Sequence, residues 1–213
     1  MRIVCISDVH NKISKVVLPP GDLLIISGDL TSMGTESEFI VFNYAVGKIK
    51  HLYKHGVLVI PGNHDFGAEK DFGFVKGLLS NISYFIHHEE IIIEGLRFFG
   101  SAYTPRFFDW AYNVDRGIKI KAKWDLIPPD TDILVTHGPP YGILDYVPKG
   151  DNVGCQDLLA AVLRIKPAVH CFGHIHHSYG EHYFNGTHFI NASTCNERYM
   201  PVNPPIVFDL ESR

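Results

Sequence analysis

Five times in this chain a short apolar run breaks off into a polar, turn-forming cluster, and that recurrence narrows the folds open to it. The runs cover residues 2–7, 22–27, 57–60, 132–136 and 168–172. Each is too short for a core helix and lacks the alternation of a half-exposed strand, so each predicts a strand buried on both faces. Between the runs the period changes. Thr35 and Glu38 stand where a capping box would start a helix, and Phe39, Phe42, Val46 and Ile49 follow at helical spacing, with Lys54-His55-Gly56 as the stop. Leu158, Leu159, Val162 and Ile165 predict another helix, closed by Pro167. Asn185-Gly186 between two strand-like segments marks a late hairpin. No repeat, low-complexity tract or linker divides the 213 residues. One α/β domain over 1–213 is expected, with either a mixed sheet or two sheets packed together.

Sites in α/β folds gather at strand ends, and the clusters that follow the five runs are of one chemical kind. They are Asp8-Val9-His10, Gly28-Asp29, Gly62-Asn63-His64-Asp65, Thr136-His137-Gly138 and Gly173-His174-Ile175-His176. Their donors are carboxylates, imidazoles and one amide, with no thiolate. Such a set suits Mn²⁺, Fe or Zn²⁺ and is richer in imidazole than Mg²⁺ or Ca²⁺ usually takes. Asp8, His10, Asp29, Asn63, His137, His174 and His176 make seven potential ligands, too many for one ion and enough for two that share a carboxylate. Gly28, Gly62 and Gly173 precede ligands where the chain must turn sharply or approach closely. Any one cluster alone would read as a cap or a turn. Their ordered recurrence is what points to a metal centre.

Bulk properties exclude other classes. The net charge is -4 and no block of Lys or Arg is present, so extended DNA or RNA is a poor ligand. The four cysteines form no C-x-x-C pair, against a zinc ribbon or disulfide scaffold. Cys5 and Cys171 lie in apolar runs and read as reduced core thiols. No apolar run approaches the ~18 residues of a membrane span. The first residues read as a strand, without the features of a signal peptide, so a cytoplasmic protein is expected. The oligomeric state leaves no mark in the sequence.

The ordered motifs D-x-H, G-D, G-N-H-[DE], a lone His and G-H-x-H, at positions 8 to 176, resemble the calcineurin-like metallophosphoesterase superfamily. A closer similarity, to the brain-type metallophosphoesterase-domain-containing phosphodiesterases and their bacterial relatives, covers nearly the whole chain. Trp110-Ala111-Tyr112-Asn113, Leu126-Ile127-Pro128, Thr136-His137-Gly138-Pro139-Pro140-Tyr141-Gly142, Gly154-Cys155-Gln156-Asp157, Asn191-Ala192-Ser193 and Asn203-Pro204-Pro205-Ile206-Val207 carry it. His177 departs from the pattern, since an acidic residue is expected there.

The resemblance implies two mixed β-sheets packed as a sandwich and flanked by helices. It implies one metal held by Asp8, His10, Asp29 and His176, and a second held by Asp29, Asn63, His137 and His174, with Asp29 bridging. Mn²⁺ is the leading expectation, with Fe or Zn²⁺ as alternatives. The implied activity is hydrolysis of phosphodiesters or phosphomonoesters, with cyclic nucleotides among the substrates. His64 is the expected proton donor to the leaving group, and Asp65 is expected to fix its tautomer.

Residues 101–117 admit two readings. Tyr103, Arg106, Phe107, Trp110 and Asn113 are candidate substrate contacts that would stack a base or meet phosphate. Equally, the segment's aromatic residues would make a satellite core. The remaining histidines are not expected to bind metal: His51 and His55 solvated, His87 and His88 before a charged turn at Glu89-Glu90, His182 and His188 beside the hairpin, His170 in the core. A small phosphodiester is therefore the leading substrate. A phosphomonoesterase or nuclease would use the same site, and a non-catalytic module would be expected to lack ligands that this chain retains.

Overall fold

The computed structural model describes residues 1–211, and each of the five apolar runs is a strand. The first half supplies β1 (Arg2–Ile6), β2 (Leu23–Ile26), α1 (Glu36–Ile49), β3 (Val57–Val59), α2 (Phe66–Lys70), α3 (Phe72–Leu78) and β4 (Tyr84–Phe85). The second half supplies β5 (Glu89–Ile93), β6 (Leu96–Ser101), α4 (Ile118–Trp124), β7 (Ile133–Thr136), α5 (Gln156–Ile165) and β8 (Val169–Phe172). It ends with β9 (Gly180–Phe184), β10 (Thr187–Asn191) and β11 (Ile206–Asp209).

Two mixed sheets result. One has the order β11-β1-β2-β3-β4, parallel except for β11. The other has the order β9-β10-β8-β7-β6-β5, parallel at its centre with β9 and β5 antiparallel at the edges. Because side chains alternate along a strand, each run serves two cores. Ile3, Cys5, Leu23 and Ile25 face Phe98, Ile133, Val135 and Cys171 between the sheets. Val4, Ile6, Leu24 and Ile26 face Phe39, Phe42 and Val46 of α1. On the far side, Phe99, Leu134, Phe172 and Phe189 pack with Trp124, Leu158 and Val162. Each large side chain so buried contributes about 1.5–3 kcal/mol. This double duty explains the lack of alternation in the sequence.

Local signals hold with one change of boundary. Thr35 and Glu38 close the capping box: the Glu38 N–H donates to Thr35 Oγ1 at 3.4 Å and the Thr35 N–H to Glu38 Oε2 at 2.9 Å. The helix stops at Ile49, and Lys50–Leu52 tighten into a 3-10 turn before Gly56. Lys166 ends α5 in the left-handed region, φ 54°. Asn185 and Gly186, both with positive φ, turn β9 into β10. The Cys5 and Cys171 sulfurs lie 3.2 Å apart between the sheets, and all four cysteines are free and buried.

Glu89 and Glu90 open β5 rather than a charged turn, after a bend at His87 and His88. The two histidine rings pack against Tyr103, 4.7 and 5.2 Å away, because residues 101–117 fold over them. The Ala102 N–H donates to His87 Nδ1 at 3.1 Å, and burial pushes His87 down to about 4. His170 is in the core, its Nε2 2.8 Å from the Thr136 hydroxyl. His55 pairs with Glu94 at 3.3 Å. No helix among the described residues is long and apolar enough to cross a membrane.

Candidate metal centre and active site

Three parallel strands of one sheet (β1, β2, β3) and two of the other (β7, β8) end at the same edge of the sandwich, so their five polar turns converge. The turns are sharp. Asp8, His10, Asp29 and His174 all have positive φ, between 39° and 69°. Non-glycine residues in that region carry strain of order 1 kcal/mol, which surrounding structure must hold. Gly28 shares the positive φ, at 105°. Gly62 and Gly173 matter for a different reason. A Cβ on Gly62 would strike Asp29, and one on Gly173 would strike Asp8.

Three overlapping groups of donors form, one of them made by His10, Asp29 and His64. Asp8, His10 and His176 offer atoms within 4.8 Å of one another, and so do Asp29, His137 and His174. Asp29 faces both of the latter groups. Its Oδ1 is 3.4 Å from His137 Nε2, and its Oδ2 is 3.7 Å from His10 Nε2. Asn63 Oδ1 joins the group with His174, 2.8 Å from His137 Nε2. His176 Nε2 is 3.3 Å from Asp8 Oδ1.

The histidines are oriented for ligation. Nδ1 of His10, His137 and His176 meets a backbone carbonyl, of Thr31 at 3.2 Å, Ser27 at 3.0 Å and Asn196 at 3.0 Å. Each ring therefore turns Nε2 to the carboxylates, the arrangement that fixes the tautomer of a metal-binding imidazole. His10 Nε2 is buried without a hydrogen-bond partner, which is costly unless a cation takes it. Burial opposes charge on Asp8 and Asp29. Even so, His176 beside Asp8 and His137 beside Asp29 hold both carboxyls well below their usual range. Burial likewise opposes charge on His137, yet Asp29 pushes it up to about 9. His174, desolvated and next to His137, is pushed down to about 4. The pocket demands positive charge, and its oxygen and nitrogen donors fit divalent cations.

Behind these donors lies a hydrogen-bonded brace. The His174 N–H donates to Asp8, 2.9 Å from Oδ2. The Ser193 hydroxyl lies 2.9 Å from Asp8 Oδ2 and 2.8 Å from Asn191 Oδ1. The Asn191 amide donates to the Ile175 and Leu144 carbonyls, at 2.9 and 3.1 Å.

His64 stands at the rim of the centre, its Nε2 3.9 Å from Asp29 Oδ2. Its Nδ1 meets the Ser32 carbonyl at 2.8 Å. Asp65 is therefore not its tautomer-fixing partner. That carboxylate turns inward from the start of α2, where four donors meet it: the Leu30, Thr31 and Gly62 N–H groups and the Thr31 hydroxyl.

A cleft of about 300 Å³ opens above the donors. The 101–117 segment divides between the two readings. Trp110 and Phe107 line the cleft, and the Trp110 ring is 4.3 Å from that of His64. Tyr103 and Tyr112 pack inward with His87. Arg106 pairs with Asp115 at 2.6 Å. Asn113 donates to the Phe107 and Phe108 carbonyls. Tyr103, Arg106 and Asn113 are not among the residues lining the cleft.

Three further residues line it that the sequence did not single out, Val147, Glu197 and Tyr199, while Ile175 comes with the cluster that holds His174 and His176. Val147 lies on a two-residue strand and Glu197 and Tyr199 on an irregular turn, so only the fold brings these three in. His177, where an acid was expected, pairs with Glu197 at 2.5 Å, so a carboxylate reaches this point from elsewhere in the chain.

The family profile described as Calcineurin-like phosphoesterase matches residues 1–178. Metallophosphoesterase domain-containing protein 1 of Homo sapiens is 40% identical over 234 residues, covering 98% of this chain and 71% of that protein. UPF0046 protein K07C11.7 of Caenorhabditis elegans is 40% identical over 224 residues, covering 98% and 74%. The solved structure of TT1561 of Thermus thermophilus shares the fold, with a TM-score of 0.61 at 14% identity over 90% of this chain and 88% of that one. The converging donors agree with these likenesses, and the chain belongs to the calcineurin-like phosphoesterase family of metal-dependent phosphoesterases.

Proposed function

We propose that this phosphoesterase hydrolyses small phosphodiesters with two divalent cations, cyclic nucleotides being suitable in size. The observation that carries the preference is the lining of the cleft. No lysine or arginine lines it among the described residues, whereas Phe107, Trp110, Val147 and Ile175 do. A phosphomonoester would bring a second negative charge with no lysine or arginine to meet it. A diester carries one charge and a second ester group that an apolar wall can cover. The small cleft and the net charge of -4 also count against long nucleic acid.

In this reading Asp8, His10, Asp29 and His176 hold one cation, while Asp29, Asn63, His137 and His174 hold the other. Mn²⁺ is the proposed ion, and Fe or Zn²⁺ suits the same donors. When bound, two such cations acidify water and neutralise charge on phosphoryl oxygens. The chain's own contribution is positioning and proton transfer. In its imidazolium form, with Nδ1–H donated to the Ser32 carbonyl, His64 holds a second proton at Nε2 for the cleft. That proton passes to the departing alkoxide as the P–O bond breaks, so water and diester become monoester and alcohol. Trp110, packed on His64, holds the ring and keeps bulk water away. Four buried free cysteines fit a reducing compartment, and we assign the protein to the cytoplasm.

The test is a comparison of kcat/KM for bis(4-nitrophenyl) phosphate and 4-nitrophenyl phosphate on the Mn²⁺-loaded protein. The diester is expected to be the better substrate. A faster monoester would overturn the preference.

A further inference from the structure

The turn over residues 195–201 is built more tightly than an exposed connection requires. Cys195 and Pro201 form an antiparallel bridge across its base. The Asn196 side chain accepts from the Arg198 and Met200 N–H groups, both at 3.0 Å. Two consecutive residues then pin the turn to the metal-ligand segment. The Asn196 carbonyl meets His176 Nδ1 at 3.0 Å, and Glu197 meets His177 at 2.5 Å.

The product of this bracing is the position of Tyr199. Its backbone is in the left-handed region, φ 55°, which is strained for a tyrosine. Its ring stands edge-on to His10 at 4.7 Å and to His176 at 5.8 Å, and it approaches His64 at 6.1 Å. It is nevertheless 41% exposed, so it does not serve as a core residue. Trp110 approaches the same His64 at 4.3 Å. Both rings line the cleft, so both lie beside the proposed proton donor.

We propose that the 195–201 turn is the specificity element of this site, and that Tyr199 and Trp110 together seat a planar aromatic group carried on an ester oxygen of the substrate. The proposal rests on the phosphodiesterase reading above and adds to it the kind of alcohol that is esterified. An aliphatic diester would leave both rings against water. An aryl or heterocyclic ester stacks on one ring and meets the other edge-on, the geometries that aromatic groups prefer. The His177–Glu197 pair holds the turn against the ligand segment, so it acts as a positioning pair. It does not itself touch the aromatic group.

The experiment is calorimetric titration of the Mn²⁺-loaded protein with diphenyl phosphate and with diethyl phosphate, alongside turnover of bis(4-nitrophenyl) phosphate. The unaltered protein is expected to bind the diphenyl ester more tightly. Tyr199→Ala and Trp110→Ala should each lower that preference by roughly two- to tenfold, the worth of an aromatic pair, while diethyl phosphate binds as before. Tyr199→Phe should retain the preference. Glu197→Gln, which keeps the ring but loosens the turn, should lower it less than Tyr199→Ala. Equal weakening of both esters in Tyr199→Ala, with unchanged Mn²⁺ content, would overturn the proposal, as would the lack of any preference in the unaltered protein. The underlying reading fails separately: aryl preference without turnover of any phosphodiester would defeat the proposed reaction and leave the aromatic seat standing.

Discussion

The Asp65 carboxylate accepts a 2.6 Å hydrogen bond from the Thr31 hydroxyl, which makes it a brace of the site floor. With three backbone N–H groups also directed at it, every partner is a donor and only an acceptor group fits. Asp65→Asn would turn an amide N–H toward one of them. The expected cost is about 2–4 kcal/mol, because buried donors lose a charged acceptor. The urea midpoint should fall accordingly. An unchanged midpoint with a reduced kcat would instead return Asp65 to a direct role beside His64.

Asn63→Ala and His64→Ala should fail differently despite being neighbours. Loss of the Asn63 oxygen, 2.8 Å from His137 Nε2, should lower the Mn²⁺ content of the purified protein. His64→Ala should keep the Mn²⁺ content and slow turnover by roughly 10²–10⁴-fold, the range for a lost general acid. The deficit should shrink for nitrophenyl esters, whose leaving groups need little protonation. A deficit independent of leaving group would assign His64 to phosphate binding.

The parts of this site legible in the sequence are those where local chemistry and strand pattern coincide. Asp8, Asp29 and His174 each follow a buried strand directly, so the apolar run predicts both the strand and its exit. The Thr35–Glu38 box and the Asn185-Gly186 turn were legible for the same reason, each being complete within a few residues. The tautomer-fixing partner of His64 was not, because a backbone carbonyl such as that of Ser32 has no sequence signature. The inward turn of Asp65 depends on donors from Leu30 and Thr31, more than thirty residues away. Tyr199 and Glu197 were invisible for a related reason: an irregular turn is shaped by its anchors, here His176 and His177. The 101–117 segment supported two readings because it does both things, with Trp110 outward and Tyr112 inward.

The brace behind Asp8 should be measurable through metal affinity. Ser193→Ala removes a hydroxyl 2.9 Å from Asp8 Oδ2, and Asn191→Ala removes the group that ties Ser193 to the Ile175 carbonyl. Loss of groups that orient a ligand typically weakens metal binding by about 10–100-fold. Competition titration of Mn²⁺ against a chelator should show this for Ser193→Ala while its thermal midpoint in chelator changes little. Unchanged affinity in both variants would mean that Asp8 needs no such support.

Burial pushes His87 down to about 4 from its ordinary 6.5. Between those values the unfolded chain takes up a proton that the folded chain refuses, so stability should fall as pH drops from about 6.5 toward 4. His87→Asn keeps an acceptor for the Ala102 N–H and has no charge to gain. The difference in urea midpoint between pH 7 and pH 5, measured in chelator, should therefore be smaller in the variant than in the unaltered protein. Equal differences would mean that His87 takes up its proton in the folded state.

The most direct measurement is the stoichiometry of bound cation. The two oxygens of Asp29 face His137 and His10, and in the proposed reading they serve two ions. Protein saturated with Mn²⁺ and freed of excess should hold two equivalents per chain by elemental analysis, and Asp29→Ala should lose affinity at both positions. Saturation at one equivalent would contradict the account.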